Sequence, residues 1–133
     1  MEHLKRHIAE LTMYMEKRGV KAQPYPTVIL KNNLQEGGAL LGKTGYYEPA
    51  THTIALYISG RHPKDILRSY AHELIHHDQC LRGLFNKEAE TQDPQYAQNN
   101  PYLRKMEKDA FLRGNMFFRD WTDAKKYTTE ING

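Results

Sequence analysis

Residues 63–80 leave the chain little choice but a helix with one wall buried. Pro63 follows His62 and precedes Lys64-Asp65; a proline at the first helical position gives up no internal hydrogen bond, and an acidic first turn suits the helix dipole. Ile66, Tyr70, Ala71, Leu74 and Ile75 recur at three- and four-residue intervals, the period of a core-facing helix, and Gly83 supplies a stop. At about 100° per residue, His76 lies about 40° and Glu73 about 100° around the axis from His72. The three side chains therefore share one sector bordering the apolar wall. Two imidazoles one turn apart can each offer a neutral nitrogen to one metal ion, and the carboxylate between them is left beside the metal's water as a base. The competing reading of His72-Glu73-Leu74-Ile75-His76 is an exposed helix with solvated histidines.

A catalytic zinc site usually takes three protein ligands, so two imidazoles are incomplete. Cys80 continues the row from His76 but lies about 12 Å along the axis from His72, too far to share an ion. It reads as a buried structural thiol. His77 is a further 100° round from His76, at solvent, beside a ligand or on the cleft rim. Glu107 is the strongest candidate for the third ligand. It sits in a second predicted helix over 100–126, which opens with Asn100-Pro101 as cap and first-turn proline. Leu103, Met106, Ala110, Phe111, Gly114, Phe117, Phe118 and Trp121 form its core-facing stripe, with Glu107 embedded among them. A carboxylate there needs a metal, an arginine such as Arg104 or Arg113, or a raised pKa. Glu88 and Glu90 are rival ligands, but neither lies on a clear apolar stripe.

With His72, Glu73, His76 and Glu107 in view, the chain resembles the gluzincins, zinc peptidases with HExxH on one helix and a glutamate ligand on a later one. The likeness is to small SprT-like or ImmA/IrrE-like forms of bacteria and phages, over roughly residues 27–121. Gln79 and Arg82 stand where the metzincin continuation needs glycine and histidine, which excludes that class. The resemblance implies a single zincin-like α+β domain over 1–133, binding one Zn²⁺ and hydrolysing peptide bonds with Glu73 as base. It also implies a sheet edge, here sought within 45–58, that pairs with extended substrate. One departure concerns the thermolysin-type acidic residue four positions after the glutamate, where this chain has Phe111. The group that orients a ligating histidine is therefore unassigned. Donors for the developing oxyanion are sought among Tyr46, Tyr47, Tyr70, Tyr96, Tyr102 and Tyr127, with Tyr70 read as packed.

The remaining segments are consistent with a small three-stranded sheet. Thr27-Val28-Ile29-Leu30, Gly45-Tyr46-Tyr47 and residues 53–58 are β-branched or aromatic runs, all within 27–58. Residues 1–20 hold an N-terminal helix whose Leu4, Ile8, Leu11 and Met15 are too interrupted for a transmembrane span or a signal core. One cysteine allows no internal disulfide, and the expected compartment is the cytoplasm, or the host's if the chain is phage-encoded. The stretch 83–99 is either a cleft border or lid, or a plain solvated crossing. Peptide or protein substrate is the expected partner and no membrane is. A formal charge of +3 is compatible with nucleic acid without requiring it, so a DNA-associated SprT-like protease is one alternative. A regulatory partner-binding protein with little turnover is the other. Oligomeric state leaves no trace in the sequence.

Overall fold

The computed structural model describes residues 2–32, 44–84 and 101–132, with side chains over 3–32, 44–84 and 101–126. Three helices and three strands follow in the order α1 (Glu2–Lys17), β1 (Thr27–Lys31), β2 (Gly45–Glu48), β3 (Thr53–Tyr57), α2 (Pro63–Leu81) and α3 (Pro101–Asn132). This is the α+β arrangement that the periodicities predict. Along α1, Ile8, Leu11 and Met15 are buried together, and the helix stops at Gly19, whose φ of 101° only glycine adopts cheaply. Among the described residues no helix is long and apolar enough to cross a membrane.

The sheet runs β1-β3-β2, with β1 parallel and β2 antiparallel to the central strand. All five residues of β3 are buried. Side chains alternate across a strand, so Ile54 and Leu56 join Tyr47 in the main core, while Ala55 and Tyr57 join Tyr46 in a second cluster. The expected substrate edge within 45–58 narrows accordingly. Residues 53–57 form the sheet's centre, and only β2 of that pair has an outer edge.

α2 begins where the proline predicts, capped by His62, whose Nδ1 accepts from the Lys64 amide at 3.0 Å. Its predicted stripe, Ile66, Tyr70, Ala71, Leu74 and Ile75, is buried. Burial goes further than periodicity suggests, because His76, His77, Asp78 and Gln79 are buried too. His77 is not at solvent or on the cleft rim. Its Nε2 lies 2.8 Å from the Pro24 carbonyl and 3.2 Å from that of Ala22, while Nδ1 meets the Tyr47 hydroxyl at 2.8 Å. Asp78 accepts from the Lys21 amide and from Arg82 at 2.7 Å each, and from Arg113 at 3.1 Å. Polar groups tolerate burial when each finds a partner, and apart from Arg82 these partners come from distant segments.

α3 opens at Pro101 and buries Met106, Ala110, Phe117, Phe118 and Trp121 as predicted. Phe111 departs from the stripe and is 59% exposed. At Gly114 the two long helices touch backbone to backbone: a Cβ there would lie 2.9 Å from His72 Cα and 3.0 Å from His72 N. Gly114→Ala is therefore expected to lower stability in a urea titration. Overpacking costs about 1–3 kcal/mol, and a rigid backbone neighbour places this site toward the upper end, above the roughly 1 kcal/mol of helix propensity gained. An unchanged or higher midpoint would contradict the close approach.

Candidate metal centre

The second half of α2 and the first half of α3 meet at three side chains. His72 Nε2 lies 2.7 Å from Glu107 Oε1, and His76 Nε2 lies 3.0 Å from Glu107 Oε2. One carboxylate thus spans both imidazoles. Arg113 is not its partner: that guanidinium is engaged by Asp109 at 2.7 and 2.8 Å and by Asp78. Burial alone would raise the Glu107 pKa, but the hydrogen bonds to His72 and His76, with the charge of both rings, hold it well below the usual carboxylate range.

Glu73 has the opposite environment. It is buried, and its Oε1 has no hydrogen-bond partner among the described residues. Burial pushes its carboxyl up to about 7, with His72 opposing that shift and Glu107 adding to it. Leaving a buried acceptor unpaired costs about 1–3 kcal/mol, so the position calls for a functional explanation. His72, Glu73 and His76 each present one ligand atom within 4.8 Å of the others. Two carboxylates therefore compete for the third place, and contacts separate them: Glu107 touches both imidazoles while Glu73 touches neither through Oε1. Two imidazole nitrogens plus a carboxylate suit zinc, and a carboxylate with an unbonded oxygen beside them suits a base. The residues present fit such an ion.

These groups line a cavity of about 630 Å³ whose wall also includes Gly45, Arg61 and Ser69. The Tyr57 amide donates to the Thr44 carbonyl at 3.1 Å, so residues 44 and 57 form a hydrogen-bonded pair. By the alternation of an antiparallel ladder, Gly45 directs its amide and carbonyl away from β3. A side chain is excluded there, since a Cβ would meet the Ala55 carbonyl oxygen at 2.6 Å. Arg61 ties this strand to the helix. Its guanidinium donates to the carbonyls of Thr44 at 3.2 Å, Tyr57 at 2.9 Å and Asp65 at 3.0 Å, and to Ser69 Oγ at 2.8 Å.

Among the described residues, the tyrosines expected as oxyanion donors lie elsewhere. Tyr70 is packed, bonded to Thr12; Tyr47 serves His77; Tyr46 packs against Tyr57; and Tyr102 donates to the Leu84 carbonyl. None lines the cavity, whose polar wall instead carries Arg61, Arg68, Ser69 and Asn115. Cys80 is buried, as expected of a structural thiol. Glu88, Glu90, Tyr96, most of 83–99 and the side chain of Tyr127 lie outside the described residues. Sequence reasoning missed Gln79, whose Oε1 lies 2.9 Å from His76 Nδ1. Its place three residues after His76 was the available signal, since such pairs share a helix face. No family model, curated protein or solved structure matches the chain.

Proposed function

We propose that this chain is a zincin-like, gluzincin-type peptidase that hydrolyses peptide bonds with one zinc ion. The observation that carries the reading is the Glu107 carboxylate bridging His72 and His76 beside buried Glu73, whose Oε1 has no hydrogen-bond partner among the described residues. His72 and His76 would hold the ion through Nε2, and Glu107 through its carboxylate. Zinc, when bound, supplies Lewis acidity toward a carbonyl oxygen and makes water more acidic.

Glu73 accepts the proton of the attacking water at Oε1 as oxygen bonds to the peptide carbon. It returns that proton to the amine nitrogen as the carbon–nitrogen bond breaks. The outward amide and carbonyl of Gly45 hold extended substrate by adding it to the edge of β2, and Arg61 keeps that edge in register with α2. A guanidinium on the cavity wall, Arg68 being the more solvent-facing, shares the charge that develops on the carbonyl oxygen.

The direct test is a broad peptide library digested with the zinc-loaded chain, with and without a chelator. Cleavage that the chelator abolishes and added zinc restores is expected. Stoichiometric zinc with no cleavage of any peptide would instead favour a partner-binding role.

A further inference from the structure

Gln79 is fully buried one turn beyond His76, and the bonds of its amide nitrogen determine which way the amide faces. Nε2 lies 2.9 Å from the Met106 carbonyl oxygen and 2.9 Å from Asp109 Oδ2. Both partners are acceptors: one is a carbonyl oxygen, and Asp109 also takes N–H bonds from the Arg113 guanidinium at both carboxylate oxygens, at 2.8 and 2.7 Å. A primary amide has two N–H donors and one acceptor oxygen. Turned over, it would set its oxygen against two acceptors. Oε1 must therefore face His76 Nδ1, which has to carry a proton to bond it. A neutral imidazole protonated at Nδ1 has its lone pair at Nε2, the atom 3.0 Å from Glu107 Oε2. Two lone pairs do not face each other at that distance without a cation between or upon them.

We propose that Gln79, locked by Asp109 and Met106, is the positioning residue that sets the tautomer of His76 and aims its Nε2 lone pair at a divalent metal. This rests on the metal-centre reading above and deepens it. The position four residues after Glu107 does not serve, because Phe111 there is apolar and largely exposed. The anchoring carboxylate instead comes two residues after Glu107 and acts through an amide on the histidine's own helix. Behind it, Arg113 joins Asp109 to buried Asp78, which also takes the Lys21 amide and Arg82. A network satisfied at each of these points resists rearrangement, which is what ligand orientation needs.

The test uses the full chain and three measurements: a thermal melt, zinc affinity by competition with a chromophoric chelator, and the imidazole ¹H–¹⁵N spectrum of the zinc-loaded protein. Gln79→Leu keeps the size and removes the hydrogen bonds. It is expected to melt as a folded protein, to bind zinc about 10–100-fold more weakly, and to lose the slowly exchanging His76 Nδ1 proton signal. Asp109→Asn, on a partly exposed side chain, lets the amide turn over and is expected to give a smaller loss of affinity with the same spectral change. It carries the test if Gln79→Leu does not fold. Folded variants with parental zinc affinity and an intact Nδ1 signal would overturn the assignment. A parent chain that binds no zinc would remove the metal reading itself, leaving a second proton on Nε2 as the cation, and the titration shows this before any variant is compared.

Discussion

Glu73→Gln is expected to retain zinc at parental occupancy and to lose about 10²–10⁴-fold in hydrolysis, the range that a positioned acid or base contributes. The amide matches the carboxylate in shape but cannot accept a proton. At Oε1 there is no hydrogen bond among the described residues for the change to break. Stability is not expected to suffer either: burial already disfavours the charged form of this carboxyl, so a neutral group removes a desolvation cost. Peptide turnover and bound zinc, measured on one preparation, decide the matter. Loss of zinc would make Glu73 a ligand, and near-parental turnover would put the base elsewhere.

Glu107→Ala is expected to do the reverse at the metal, weakening zinc binding by more than about 100-fold, beyond what loss of an orienting neighbour costs. Both imidazoles lose the group that their Nε2 atoms face. Hydrolysis should vanish with the ion and return partially at high zinc. The two variants together choose between Glu73 and Glu107, the carboxylates near the two histidines. Zinc kept in Glu73→Gln and released in Glu107→Ala assigns the ligand to α3, whereas retained zinc in Glu107→Ala would sink that choice. A circular dichroism spectrum separates ligand loss from unfolding, since the same carboxylate also joins α2 to α3.

Much of the frame was legible because it is local. Pro63 and the spacing of Ile66, Tyr70, Leu74 and Ile75 describe α2 almost to the residue, and β-branched or aromatic runs mark each strand. The same spacing places His72, Glu73 and His76 in one sector, which the structure keeps as one group. Glu107 was legible for a different reason: a carboxylate in an apolar stripe needs a partner, though its position does not name one. Phe111 shows the limit of the stripe argument. Its phase suits the core, yet it is 59% exposed and lines the cavity beside the metal-centre residues.

His77, Asp78 and Gln79 mark where local reasoning ends. By composition they belong on a solvated helix end, yet all three are buried. Their partners lie far along the chain, 57 residues away for the Lys21 amide on Asp78 and 30 for Asp109 on Gln79. The sequence alone determined the helices, the strands and the shared sector of His72, Glu73 and His76, because caps and periodicity act within one or two turns. Only the tertiary structure decided that Glu107 faces both imidazoles, that Glu73 Oε1 is left without a hydrogen-bond partner among the described residues and that Gln79 meets His76 Nδ1. Those outcomes depend on α3 coming close enough at Gly114 to bring its carboxylates against α2, and an approach between two helices is a property of neither sequence segment by itself.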